Sequence, residues 1–341
     1  MRNNIFILFD CPDDRNDKKW LYEGLLKMQN NVYSVSVKHK LSDLTLKGGL
    51  IKKIHAHLIM LLQCFRCLLK SNNNDVVICW LSTTGMYFNL LSRLFGNTRN
   101  IILLNILTPL GRSKLRAFGL SNPKCCFCVN SEDTPDQFRY LYSDIKAHFH
   151  FIPDVYDDNI AFQTREFDTI DKYCFTGGFN NRDWTFVNTL ARLMPHVKFI
   201  CVGDEQVFNN MVEQKEDNVI TYFSIDANKY YDLMKKSHLV FLPLIDDRVA
   251  GLINIIRAAQ YGVLCAISDT KSTNQYLGNQ DKDMLIHGDL QETKLMIDRI
   301  FSLSQDEYQS KLSRFQKHIQ DVFSPQSATD KVYKVVTDFN N

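Results

Sequence analysis

Apolar and polar positions follow two rhythms along the chain. Short continuous apolar runs predict buried strands at 5–9, 32–37, 76–80, 101–105, 126–130 and 148–152. Stretches with apolar residues every three or four positions separate most of them and predict helices. After Pro153 the chain turns polar and acidic, through Asp154, Asp157, Asp158, Glu166 and Asp168. A second series then predicts strands at 172–176, 198–202, 219–223, 239–243 and 263–267, with helices at 184–193, 227–236 and 252–261. Apolar strands alternating with helices specify parallel sheets covered on both faces. The expected fold class is α/β, with two tandem doubly wound, Rossmann-like domains. The boundaries expected are a first domain at 1–153, a linker at 154–170, a second domain at 171–310, and a helical tail at 311–341. That tail is interrupted at Ser324-Pro325 and is expected to cross back onto the first domain.

Composition narrows the class. The 341 residues suit about two domains, and 45% hydrophobic with 23% charged residues disfavours disorder and coiled coil. Lys+Arg 40 against Asp+Glu 38 leaves a net charge of +2, so no chain-wide field favours nucleic acid, and none is expected as a partner. The first apolar run stops at Asp10, far short of a signal-peptide core or a membrane span. Most of the ten cysteines sit inside apolar runs, as small hydrophobes in a reducing cytoplasm do. Two clusters, Cys64 with Cys67 and Cys125-Cys126 with Cys128, raise the question of zinc. The first lies in a helical pattern and the second in a strand pattern, so buried thiols are the reading and no metal is expected.

The segment 47–70 carries the strongest local charge. Lys47, Lys52, Lys53, His55, His57, Arg66 and Lys70 flank the apolar run from Leu58 to Leu62, which is too short to span a bilayer. Two readings stand: a helix lying on an anionic membrane, or an ordinary domain helix with a solvated basic face.

Ligands of open parallel sheets bind beyond the carboxyl ends of the strands, so the turns there hold the candidate chemistry. The first turn of the second half places Gly177 and Gly178 after a strand, with Asn181 and Arg182 before a helix. Glycines admit close backbone approach, a helix start offers free N–H groups, and an arginine pairs with phosphate oxygens, so a diphosphate suits this turn. The plainer alternative is chain reversal alone, with Asp183 as a helix cap and Arg182 in solvent. Gly203 ends the next strand, ahead of Asp204 and Glu205, which are expected to cap a helix. Asp246 and Asp247 precede Gly251 and Leu252, a polar loop with acceptors for sugar hydroxyls and N–H groups for an anion. Thr270 and Ser272 add hydroxyls after the neighbouring strand.

Three stretches, FTGGFNNRD (175–183), FICVGDE (199–205) and HLVFLPLIDDRVAGLINIIRAAQYGVLCAISD (238–269), together resemble the donor-binding half of GT-B glycosyltransferases. Within them the resemblance is to the large retaining group called glycosyl transferases group 1, of family 4 type. It implies a sugar nucleotide as substrate, no cofactor, and no metal. The implied catalytic residues are Arg182, which neutralises the departing diphosphate, and Asp246 and Asp247. Gly177, Gly178, Asn181, Gly203, Tyr222, Gly251, Leu252, Arg257, Thr270 and Ser272 complete the implied donor site, with backbone groups at 218–223 reading the base. The chain departs from the family at its paired glutamates, spaced E-x7-E: Arg257 holds the second place and Val249 the position eight before it. Arginine cannot accept a ribose hydroxyl, so Arg257 would meet a phosphate or a uronic acid carboxylate, and Asp246 or Asp247 would supply the missing acceptor.

By the same resemblance the first domain receives the acceptor. Candidates by position are Asp10 and Asp13 after the first strand, and Ser82, Thr83, Thr84 and Gly85 after the third, against turn formation as the alternative. Arg112, Lys114 and Arg116 either meet a lipid-linked phosphate or solvate a loop. The function implied is sugar transfer to a polysaccharide or lipid-linked oligosaccharide, as in capsule, exopolysaccharide or lipopolysaccharide synthesis. The setting implied is the cytoplasm, peripheral on the inner face of the plasma membrane. The rival reading is a catalytically silent GT-B domain that binds a partner or a glycan. A nucleotide-linked epimerase or dehydrogenase is the weakest option, because Asp10-Cys11-Pro12-Asp13-Asp14 replaces a first-strand GxGxxG.

Overall fold

The computed structural model describes residues 3–12, 19–37, 49–96, 99–106, 117, 120–122, 124–146, 148–166, 172–247 and 250–339. The chain forms two compact units, Met1–Pro153 with Pro325–Asn341, and Asp154–Ser324.

The first unit is built on strands β1 (Ile5–Leu8), β2 (Val32–Val35), β3 (Val76–Cys79), β4 (Asn100–Leu103), β5 (Cys125–Val129) and β6 (His148–Phe151). They form one parallel sheet in the order β2-β1-β3-β4-β5-β6. The interior strands IFIL, VVIC and NIIL are buried throughout, as strands covered on both faces must be. Helices α1 (Lys19–Met28), α2 (Leu50–Lys70), α3 (Ser82–Leu94) and α4 (Thr134–Leu141) accompany them.

Helix α2 buries only part of its apolar run. It turns Ala56, Met60, Gln63, Cys64, Cys67 and Leu68 inward and leaves Leu58 and Leu62 exposed. The reason lies at the ends of β1 and β2, where Gln63 Nε2 donates 2.7 Å to Phe9 O and also to Val35 O. Two strand-end carbonyls need a donor, and small Ala56, Cys64 and Cys67 let the helix approach closely enough to give one. Burial pushes the Cys67 thiol up to about 12, so these cysteines are inert packing groups. Among the described residues no group of three or more His, Cys, Asp or Glu is placed to hold a metal.

The second unit repeats the plan with β7 (Tyr173–Gly177), β8 (Lys198–Gly203), β9 (Val219–Phe223), β10 (Leu239–Leu242), β11 (Leu264–Ser268) and β12 (Leu285–Ile286). The order is β12-β11-β10-β7-β8-β9, again parallel. Strand order reverses between β7 and β10, and at such a switch point the loops diverge and leave a crevice. Helices α5 (Trp184–Leu193), α6 (Glu205–Met211), α7 (Ala227–Lys236), α8 (Leu252–Gln260), α9 (Lys271–Leu277), α10 (Leu290–Ser302) and α11 (Gln305–Val322) complete the unit. Residues 154–166 carry no regular element and are bound to this unit: Gln163 N donates 3.0 Å to Gln260 O, and Gln260 Nε2 reaches Asp157 O and Ile160 O.

Helix α12 (Pro325–Asp338) belongs to the first unit. A Cβ at Gly24 of α1 would lie 2.6 Å from Thr329 Oγ1 of α12, so glycine lets the two helices touch. The chain changes unit at Ser324-Pro325, and α11 stays with the second unit, further along than the expected division at 310.

Candidate functional site

At the switch point of the second unit, the loops after β7 and β10 are stitched together. Arg182 and Leu244 form an antiparallel bridge, with Asp183 N donating to Pro243 O at 3.1 Å and Ile245 N to Asn181 O at 3.3 Å. Asn181, at φ +58°, donates Nδ2 to Asp246 O at 2.9 Å. Leu244 N donates 2.8 Å to Ser268 Oγ, which ties the end of β11 to the same edge.

This stitching turns Arg182 inward. Its side chain is 3% exposed, Nε donates 2.9 Å to Gly177 O, and Nη1 donates 3.3 Å to Asn180 O. No carboxylate among the described residues pairs with it, and nothing described accepts from Nη2. A Cβ at Gly178 would sit 2.7 Å from Nη2 and one at Gly251 2.9 Å from it, so glycines from two loops clear the space beside the guanidinium. Both glycines take positive φ, +138° and +79°, which larger residues avoid. Burial lowers the Arg182 pKa, with Tyr230 and Cys265 opposing the shift. A buried cation without a counter-charge is costly by itself, and an anion 4 Å away regains about 4 kcal/mol at an effective dielectric of 20.

A polar floor supports this cation. Asn254 Nδ2 donates to Gly177 O at 3.0 Å and to the Tyr230 hydroxyl at 2.9 Å. The Tyr230 ring packs edge-on to Phe175, and burial pushes its hydroxyl up to about 12, with Arg182 pulling the other way. Gly251 begins α8 with no side-chain cap, which leaves first-turn N–H groups beside the same space. Asp183 caps α5 through Phe186 N at 2.9 Å, so the turn combines the capping role with a buried, not solvated, arginine. Asp204 caps α6, as expected. Gly203 is small for a packing reason, since its Cβ would strike Trp184 at 2.7 Å and Gly178 O at 3.2 Å. On the far side of the turn an open depression of about 470 Å³ is lined by Phe179, Gly203, Asp204, Glu205, Asn209 and Ser224.

Gly177, Gly178, Asn181, Arg182, Gly251 and the backbone of Asp246 therefore converge. Asp246 and Asp247 are exposed beside them, and Leu252 is buried at the helix start. Other expected site residues have neighbours of their own in the structure. Arg257 Nη1 donates 2.7 Å to Gln260 Oε1 and Nη2 lies 3.5 Å from Asp157, contacts that help hold the 154–166 segment. Thr270 spends its hydroxyl in a capping box with Thr273, and Ser272 is buried within α9. Asn218 sits at the amino end of β9, its Nδ2 donating to Ala191 O, Met194 O and Val197 O. Tyr222, half-buried near the carboxyl end, has Lys229 Nζ 4.9 Å from its ring centroid.

In the first unit, Asp10 is buried at the end of β1, and Trp80 N donates 3.0 Å to Leu8 O at that sheet's own switch point. Ser82 and Thr83 are half-buried and open α3. Thr84 is buried, and Gly85 is a packing glycine whose Cβ would run into Leu103. Asp13, Lys47, Val249, Arg112, Lys114 and Arg116 lie outside the described residues. Sequence reasoning missed Asn254, Tyr230 and Phe179. Only Asn254 left a signal, as the one polar residue in Leu252–Ile256.

No family model matches the chain, and no curated protein matches it in sequence. Solved structures match its fold over the whole length. The N-terminal domain of Candida albicans trehalose-6-phosphate phosphatase is 11% identical, with 100% of this chain and 98% of that one covered and a TM-score of 0.69. The E. coli trehalose-6-phosphate structure bound with UDP-2-fluoro glucose is 10% identical over 98% and 99%, at 0.68. Anabaena Alr3699/HepE in complex with UDP and glucose is 13% identical over 99% and 100%, at 0.67. The two parallel six-stranded sheets have the GT-B glycosyltransferase architecture, the fold of enzymes that use nucleotide sugars.

Proposed function

We propose that the protein is a glycosyltransferase that takes a sugar from a nucleoside diphosphate donor without a metal ion, retaining anomeric configuration. The observation that carries this reading is Arg182: buried, unpaired with any described carboxylate, and cleared on two sides by Gly178 and Gly251 at the sheet's switch point. The donor's diphosphate lies against Nη2 and the first-turn N–H groups of α8. As the anomeric C–O bond breaks, charge grows on the leaving phosphate oxygen, and a preorganised guanidinium stabilises it more than it does the ground state. The acceptor hydroxyl attacks the anomeric carbon from the side on which the diphosphate leaves and passes its proton to the departing phosphate oxygen. Phe179 and the depression beside Gly203 and Ser224 take the base, in place of the 218–223 backbone. Asp246 and Asp247 face donor hydroxyls. The neighbours that hold UDP or UDP-2-fluoro glucose in this fold support the donor class. The acceptor is a polysaccharide or lipid-linked oligosaccharide, met on the cytoplasmic face of the plasma membrane.

A second reading, a silent GT-B domain that binds a partner or glycan, draws on one observation. Arg257, in the place of a ribose-binding glutamate, is occupied with Asp157 and Gln260. Thermal-shift screening with UDP, GDP, ADP, CMP and their sugar conjugates, with and without EDTA, separates the two. A ligand at about 100 times its dissociation constant adds roughly 2.7 kcal/mol. The transferase reading expects an EDTA-insensitive shift with one nucleotide, and silence across the panel at millimolar ligand would favour the second reading.

A further inference from the structure

Helix α2 has two opposed apolar faces. One packs on its own sheet through Ala56, Met60, Cys64 and Leu68. On the other, Ile51, Ile54, Leu58, Leu62, Phe65 and Leu69 are all exposed, from 38% at Phe65 to 83% at Ile51. Spaced three or four residues apart, they form one continuous stripe. Leu94 and Phe95 at the end of α3 widen it, with the Phe65 and Phe95 rings 6.1 Å apart. A helix of this length runs about 31 Å, so the stripe is a ridge rather than a scattering of single apolar residues.

Charge says what the ridge meets. The helix sequence LIKKIHAHLIMLLQCFRCLLK contains no Asp or Glu. Lys52, His55, Arg66 and Lys70 fall in the row beside the stripe, all exposed, and none has an ion-pair partner among the described residues. A second copy of the chain would cover the apolar ridge but set two cationic rows together with no acid on either helix to pair with them. A bilayer with anionic headgroups takes both features at once, leucines at the acyl boundary and cations among the phosphates. No described helix is long and apolar enough to cross a membrane, so α2 would lie in the surface.

We propose that α2 docks the protein on an anionic lipid bilayer, with the Ile51-to-Leu69 stripe inserted and the Lys52–Lys70 row on the headgroups. Insertion of the apolar stripe, rather than charge alone, is then the main attachment. The inference stands independently of the sugar-transfer reading, because it uses no residue of the second unit. The test is flotation of the full chain with vesicles of phosphatidylcholine alone and of phosphatidylcholine mixed with phosphatidylglycerol. Wild type should float with both, and more completely with the mixed vesicles than with the neutral ones. The double substitution Leu58→Gln/Leu62→Gln should lower partitioning at least about tenfold, since each leucine contributes on its own. Lys52→Gln/Arg66→Gln/Lys70→Gln should weaken binding less, and make the remainder insensitive to salt. Leu295→Gln, at an exposed leucine of α10, is the control and should float as wild type does. The proposal is overturned if wild type does not float, or if Leu58→Gln/Leu62→Gln floats equally well. It is also overturned if light scattering finds a wild-type dimer that the double substitution dissociates, which would give the ridge to a second copy.

Discussion

Two arginines of the second unit are buried to nearly the same degree, Arg182 at 3% and Arg165 at 8% exposure, and neither has a carboxylate partner among the described residues. They sit at opposite ends of one sheet. Arg165 lies at the amino end of β10, where Nη1 donates to Lys235 O and Nη2 to Ser237 O, so its guanidinium closes off two carbonyls. Arg182 lies at the carboxyl end, where the missing side chains of Gly178 and Gly251 make room beside Nη2. Burial lowers the pKa of both. Desolvation of a cation therefore does not by itself mark a binding site. A spare donor does not mark one either, since Arg165 Nε is also buried without an acceptor among the described residues; what distinguishes Arg182 is its place at the switch point, with Nη2 beside two positive-φ glycines.

The comparison predicts opposite phenotypes. Arg165→Ala strips two buried carbonyls of their donors and should cost the second unit about 3 kcal/mol in urea unfolding. Nucleotide binding by the folded fraction should stay unchanged. A neutral Arg165→Ala would remove the structural half of the contrast.

The amino end also holds His238, buried against Tyr308 and Phe301, with Nε2 3.3 Å from Ile300 O. Burial lowers its pKa from 6.5 to about 4. The folded state thus refuses a proton that the unfolded chain accepts, so this contribution is complete above 6.5 and is lost as pH falls toward 4. Up to about 3 kcal/mol should disappear across that window in wild type, on top of any carboxylate effects. The difference between wild type and His238→Phe, measured by denaturant unfolding at each pH, isolates it. A difference that does not vary with pH would mean that His238 titrates in the fold as it does in the unfolded chain.

The smallest effect is expected at Arg257. Its 3.5 Å pair with Asp157 is partly solvated, so Arg257→Gln should cost less than about 1 kcal/mol and shift nucleotide affinity by no more than about twofold. Arg257→Glu would face Asp157 with a like charge and destabilise somewhat more. A large loss of affinity in Arg257→Gln with unchanged stability would return this residue to the ligand.

Much of this was legible in the sequence. Wholly apolar runs such as Ile5–Leu8 and Leu239–Leu242 signalled parallel strands, because both faces of those strands are covered. The Gly177-Gly178 and Arg182 turn was visible because its chemistry is local. Roles set by distant partners were not visible. Gln63 chooses the inner face of α2 through carbonyls of two strands, and Asn218 is claimed by three carbonyls from 191–197. Arg257 finds Asp157, 100 positions earlier in the chain. A residue's partner across such a separation leaves no periodic trace.

The most direct measurement is calorimetric titration of wild type and Arg182→Ala with the nucleoside diphosphate that gives the largest thermal shift, in EDTA, with Arg165→Ala as the folded control. Loss of charge-assisted bonds to phosphate should weaken binding by Arg182→Ala at least about tenfold, with a smaller loss of stability than in Arg165→Ala because Gly177 O keeps Asn254 as donor and Asn180 is exposed. Equal affinity in wild type and Arg182→Ala would contradict the account, since the buried guanidinium would then serve the fold and not a ligand.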